Sequence, residues 1–162
     1  KLFPYLQENL DDIITVEDQE MVVAFLDMVE NHKMVVENSG LLTVAALKQL
    51  NVKDKRVVSI LSGGNIDVQT LSIIIEKGLL KSHRKMIINV TLIDKPGALM
   101  ALGDVLRSTG ANIVKIDYDR FSTKLSYGDA KITITLETKG KEHQDTIEKA
   151  LKDAGYEFTQ EF

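Results

Sequence analysis

Met86, Ile88, Val90 and Leu92 alternate with Ile87, Asn89 and Thr91, and Ala130, Ile132, Ile134 and Leu136 repeat the pattern around Lys131, Thr133 and Thr135. A two-residue period sends one set of side chains to each side of a strand. These stretches therefore demand a sheet with one strongly apolar face, which suits antiparallel pairing. Between and after them the period becomes helical. Leu99, Leu102, Val105 and Leu106 form one apolar stripe, with Pro96 placed just inside the helix start and Gly110 as a left-handed stop. Val114, Ile116 and Tyr118 predict a second strand, alternating with Lys115, Asp117 and Asp119. Ile147, Ala150, Leu151 and Ala154 predict a second helix, stopped by Gly155, and Tyr156 and Phe158 a last strand. The order is βαββαβ, the α+β ferredoxin-like plan, with both helices on one face. Ile87, Ile93 and Ile113 are expected on the other face, diluted by Asn89, Thr91 and Lys115. A half-apolar sheet face predicts pairing with another domain or with a second copy.

The first half reads differently. Asp11–Val16 predicts a short strand, and Glu17, Asp18 and Glu20 mark a helix start, because acidic groups suit the positive end of a helix dipole. Val22, Phe25, Leu26 and Val29 give that helix its apolar face. Leu41–Leu50 predicts a second helix, begun by Asn38 or Ser39 and apolar nearly all round, as inside a larger protein. Arg56–Leu61 is a near-continuous apolar run, expected as a parallel strand buried on both faces. A glycine turn and a helix with Val68, Leu71, Ile74 and Ile75 follow, which makes one α/β unit ending near Gly78. The expected organisation is residues 1–80 as one part, 81–85 as a polar link and 86–162 as a second domain.

The formal charge of −4 and the lack of a basic face argue against a nucleic-acid partner. No apolar run approaches the roughly 20 residues that span a bilayer. Zero cysteines exclude disulfides and thiolate zinc sites, and fit a cytoplasmic setting. His32, His83 and His143 lie too far apart in sequence for a ligand pair on one helix. Apolar residues from the outset (Leu2, Phe3, Tyr5, Leu6) suggest a piece of a longer chain.

Two turns bear chemistry. In Leu61–Asp67, Ser62, Gly63, Gly64 and Asn65 join a strand to a helix. Such a turn either presents N–H groups to an anion or merely turns, with Asn65 or Asp67 as the helix cap. In Asp94–Leu99, Pro96 and Gly97 precede a helix, where Gly97 lets a ligand approach the backbone and the helix start offers N–H groups to a carboxylate.

The string VVSILSGGNID resembles the last strand and turn of the threonine dehydratase and serine racemase group, pyridoxal-phosphate enzymes of fold type II (tryptophan synthase β-like). MVVENSGLLTVAAL resembles the segment before it in the same enzymes. The resemblance implies that Ser62 hydrogen-bonds the pyridine nitrogen of pyridoxal 5'-phosphate beside Gly63. It places Glu37 near the cofactor ring, although a surface or capping carboxylate is the equal alternative. The family's Ser-x-Lys-x-Arg-Gly motif, whose lysine holds the cofactor, is missing; Lys85 and Lys124 follow Ser82 and Ser122 without the rest. The chain alone is therefore expected to be inactive and to need the remaining N-terminal part of the catalytic domain. DKPGAL, with Gly110, Asn112 and the βαββαβ order, resembles ACT domains, regulatory modules that bind amino acids or act as dimer contacts. That resemblance implies an effector site of Asp94, Pro96, Gly97, Ala98 and Leu99 from one copy with Asn112 and Ile113 from another. Isoleucine, valine, threonine or serine is the implied effector. The implied parent activity is deamination of L-threonine to 2-oxobutanoate and ammonia, as in isoleucine biosynthesis. Alternatives are a serine racemase or serine dehydratase of the same fold, or an ACT sensor without chemistry.

Overall fold

The computed structural model describes residues 1–121 and 125–161; Ser122 and Lys124 lie outside the described residues. The chain forms two compact units, Lys1–Gly78 and Leu79–Phe162.

The first unit is helical. Helix α1 spans Phe3–Asn9 and α2 spans Asp18–Asp27, followed by one π turn, Met28–His32. The acidic start predicted for α2 holds for a specific reason: Glu20 reaches back to accept the N–H of Glu17 at 3.0 Å. The helix expected over Leu41–Leu50 is broken into a 3-10 turn Asn38–Leu41, a short α3 Leu42–Ala45 and a second 3-10 turn Ala46–Gln49. Helix α4, Val68–Lys81, closes the unit. Phe25, Met28, Val36, Leu41, Ala45 and Ile74 form its core.

Two expected strands are absent here. Asp11–Val16 and Arg56–Leu61 both lack ladder partners, and no strand is present among residues 1–78. A strand exists only as a member of a ladder, and this unit offers no second member. The apolar run consequently faces solvent, with Val58 90% and Ile60 72% exposed, against the expected burial on both faces. The Thr43 hydroxyl donates to the Ile60 carbonyl at 2.9 Å, and the partly buried Leu61 packs against the core of the unit.

The second unit has the element order β1 (Lys85–Ile93), α5 (Ala98–Ser108), β2 (Asn112–Asp119), β3 (Asp129–Glu137), α6 (Lys141–Asp153) and β4 (Phe158–Glu161). The strands form one antiparallel sheet in the order β2-β3-β1-β4. Met86, Ile88, Val90 and Leu92 pair with Leu136, Ile134, Ile132 and Ala130, so the alternating apolar sets share one face. Leu102 and Leu106 of α5 and Ile147 and Leu151 of α6 complete a core of fully buried side chains. Each such side chain contributes about 1.5–3 kcal/mol of transfer free energy.

Two details depart from expectation. Helix α5 begins at Ala98, so Pro96 lies in the turn before it, and Gly97 takes a φ of 86°. The β2–β3 register shifts between Ile113 and Lys115, so Val114 forms a bulge. That shift pairs Ile113 with Leu136 and places Ile113 on the helix-covered side, not the open one. The segment from Lys81 to Lys85, expected as a polar link, makes backbone hydrogen bonds with the second unit. The His83 carbonyl accepts from Gly140 N–H at 3.1 Å and the Arg84 carbonyl from Thr138 N–H at 2.9 Å, which holds it to the second unit. The open face is mostly polar: the Thr133 hydroxyl donates to Asn89 Oδ1 at 2.6 Å, and Asn89 Nδ2 donates to Glu161 at 2.7 Å.

Candidate functional site

In the first unit the two segments singled out in sequence meet. The Glu37 backbone N–H donates to the Gly63 carbonyl at 3.4 Å, and Glu37 Oε2 accepts the Asn65 N–H at 3.1 Å. The Ser39 hydroxyl donates to the other carboxylate oxygen at 2.6 Å. Space requires a glycine at position 40, and the positive φ favours one at position 63. A Cβ on Gly40 would overlap the Ser62 carbonyl oxygen, and a Cβ on Gly63, whose φ is +78°, would overlap the Glu37 carboxylate. Ser62 stands exposed on the turn. Asp67, not Asn65, caps α4: Thr70 donates its N–H to Oδ1 at 2.9 Å and its hydroxyl to Oδ2 at 2.5 Å. The Thr70 side-chain hydrogen bond, with its backbone N–H next, holds the Asp67 carboxyl below the ordinary carboxylate value. Glu37, Ser62 and Gly63 thus share one corner built from two loops.

In the second unit the turn between β1 and α5 borders an open cleft of about 540 Å³, lined by Asp94, Lys95, Pro96, Gly97, Leu99, Met100, Tyr118 and Arg120. Asp94 is fixed three ways. Its N–H donates to the Gly128 carbonyl at 2.8 Å, Oδ1 accepts the Tyr118 hydroxyl at 2.8 Å and Oδ2 pairs with Arg120 Nε at 3.1 Å. The Arg120 guanidinium lies over the Tyr118 ring, 5.1 Å from its centroid. Ala98 gives its N–H to the Lys95 carbonyl at 3.2 Å. Asn112 and Ile113 sit at the other end of β2, where Asn112 Nδ2 donates to Glu137 at 2.8 Å. Six residues of strand separate Asn112 from Tyr118, about 20 Å, so one chain does not bring Asn112 and Ile113 to the turn.

Tyr118 and Arg120 escaped the sequence reading as cleft residues. Tyr118 reads as one apolar step of an alternation, and Arg120 as a charge just past a strand. Only the register, which pairs Asp119 with Lys131 and Ile93 with Asp129, brings them beside Asp94. Among the described residues no cluster of His, Cys, Asp or Glu could hold a metal ion, and no helix is long and apolar enough to cross a membrane.

No family model matches the chain. It is 39% identical over 156 residues to the L-threonine ammonia-lyase of Thermotoga maritima, covering 96% of this chain and 39% of that protein. The L-threonine ammonia-lyase of Geobacter sulfurreducens is 38% identical over 156 residues, covering 95% of this chain and 39% of that protein. The biosynthetic L-threonine dehydratase IlvA of Escherichia coli is 29% identical over 163 residues, covering 95% of this chain and 30% of that protein. Over nearly its whole length this chain is similar to part of the threonine ammonia-lyases, and it spans about two fifths of the length of the first relatives it matches.

Proposed function

We propose that this chain is the C-terminal part of a threonine ammonia-lyase: the end of a fold type II catalytic domain followed by a ferredoxin-like ACT regulatory domain. The observation that carries the proposal is 39% identity over 156 residues to a protein of that name. The meeting of Glu37 with Gly63 and Asn65 supports the catalytic half, since two separately recognised motifs form one corner. The β2-β3-β1-β4 sheet, with α5 and α6 on one face, supports the ACT half. The whole enzyme would convert L-threonine to 2-oxobutanoate and ammonia in the cytoplasm, with an amino-acid effector and self-association acting through residues 86–162.

The donor set of the corner suits pyridoxal 5'-phosphate. Ser62 is exposed beside two glycines, and a hydroxyl can donate to an unprotonated pyridine nitrogen without protonating it. The bound cofactor supplies an electron sink for loss of the α-proton and then of the β-hydroxyl. This chain's own contribution is orientation. Ser62 would hold the ring nitrogen by a hydrogen bond, and Glu37 fixes the turn that carries Ser62. The exposed Arg56–Leu61 run, rich in Val and Ile, is suited to join the sheet of the remaining N-terminal part of the catalytic domain.

The test is an assay of the full-length protein for 2-oxobutanoate from L-threonine. Ser62→Ala should lower the rate roughly tenfold, the loss of one hydrogen bond of about 0.5–1.5 kcal/mol. The isolated 162-residue chain should show no turnover. A full-length protein that leaves threonine untouched defeats the proposal, and an unchanged rate in Ser62→Ala removes Ser62 from the site.

A further inference from the structure

We infer that Thr43 is a positioning residue for Ser62, a role that rests on the reading of Ser62 as the partner of the cofactor's ring nitrogen. The Thr43 hydroxyl sets where the Ile60 carbonyl lies, and through it where the Ser62 side chain is offered.

Ser62 is exposed, and the backbone on either side sets its place. Downstream, the Glu37 N–H donates to the Gly63 carbonyl at 3.4 Å, and Glu37 Oε2 accepts the Asn65 N–H at 3.1 Å. At Ser62 itself the carbonyl lies so close to Gly40 that a Cβ there would overlap it. Upstream, Leu61 packs against the core, and the Thr43 hydroxyl donates to the Ile60 carbonyl at 2.9 Å. Glu37, Gly40 and Thr43 follow one another at intervals of about one helical turn. They meet the Gly63 and Asn65 backbone, then Ser62, then Ile60. The two segments therefore run in opposite directions with a contact at each turn.

These contacts constrain Ser62 in different ways. Gly40 offers a flush surface, which limits approach but leaves sliding free. A hydrogen bond is directional and resists sliding. Glu37 supplies such bonds on the downstream side alone. Thr43 supplies the upstream one, on a run that has no ladder partner to hold it. Ser62 thus sits between two fixed points.

The residue type fits this role. A threonine within a helix ordinarily returns its hydroxyl to a carbonyl three or four residues back. Thr43 lies within α3, yet its hydroxyl goes to a carbonyl 17 residues ahead. Its β-branched side chain holds few χ1 rotamers, so the oxygen is well placed. Thr43 is exposed and adds little to the core, so what the bond contributes is geometry. Geometry matters at this point, since misplacing a group by about 1 Å can cost on the order of a hundredfold in rate.

The experiment is a double-mutant cycle in the full-length enzyme with its cofactor bound, using Thr43→Val, Ser62→Ala and the two together. Thr43→Val keeps the shape and removes the hydroxyl. It should lower kcat roughly fivefold, as for one lost hydrogen bond, with KM for L-threonine little changed. In the Ser62→Ala background the same change should cost nothing further, because the group it positions is gone. Thr43→Ser, which keeps the hydroxyl, should recover most of the rate. A second readout needs no cofactor. In NMR spectra of the 162-residue chain, Thr43→Val should shift the Ile60 carbonyl carbon and the Ser62 and Gly63 amides, and leave Phe25 in place. Unmoved Ser62 and Gly63 amides overturn the positioning role. So does a Thr43→Val enzyme at the parent rate, or a loss of equal size in both backgrounds; each leaves the reading of Ser62 standing. Ser62→Ala at the parent rate overturns both.

Discussion

The backbone N–H of Asn65 donates to Glu37 Oε2 at 3.1 Å, so a side chain from one loop closes the glycine turn of another. Glu37→Ala removes that acceptor and the Ser39 contact together. The expected cost is about 0.5–1.5 kcal/mol per lost bond. The specific sign is faster amide exchange at Asn65, with the exchange of buried β1 amides unchanged.

Gly40 and Gly64 make a matched pair of tests. A Cβ on Gly40 meets the Ser62 backbone, which cannot rotate away, whereas one on Gly64 meets nothing. Gly40→Ala should destabilise the first unit by about 1–3 kcal/mol, the usual range for overpacking. Gly64→Ala should stay within about 0.5 kcal/mol of the parent. Urea denaturation of the two variants, followed by signals of Phe25, checks both.

The Asp67 cap gives a pH dependence of known sign. Its carboxyl is held below the ordinary 3.8 by Thr70, so its contribution to folding is present above 3.8. That contribution fades as pH falls through the lower folded value. The stability gap between the parent and Asp67→Ala should therefore be constant near neutral pH and close only in strong acid. Denaturation midpoints measured across the acid range test this, and a gap that closes above pH 5 would contradict the cap.

His143 links the ends of β3 and α5. Its Nδ1 accepts the Lys139 N–H at 3.1 Å, which leaves Nε2 to donate to the Thr109 carbonyl at 2.9 Å. The neutral ring should therefore carry its hydrogen on Nε2. Long-range nitrogen–proton correlation spectra at neutral pH distinguish the two tautomers directly.

The sequence was most legible where one physical demand acted alone. Ile88 and Ile134 had only to share a covered face, and alternation reports that demand directly. Ile113 was misassigned because a bulge adds a residue without leaving any mark in composition, and everything before it changes sides. Val58 and Ile60 were read as buried because their side chains suit a sheet interior, but burial depends on strands that this unit does not contain. The corner around Glu37 was legible only in part. Each loop has a recognisable pattern, whereas the bond from Asn65 to Glu37 depends on how the helices between them fold back. Arg120 was missed altogether, since its place beside Asp94 follows from strand register and not from any local spacing.

The bare Arg56–Leu61 run also governs how this chain behaves in concentrated solution. Val57, Val58 and Ile60 stand at least 46% exposed on a segment with no ladder partner. Such a stretch is a template for the same stretch of another molecule. Lys53, Asp54 and Lys55 precede it, Arg56 opens it, and these charges act as gatekeepers, since charge beside a sticky window discourages stacking. That protection is electrostatic, so added salt weakens it. Preparations of this chain should accordingly form β-rich aggregates sooner at high ionic strength and high concentration, and Val58→Lys should delay them.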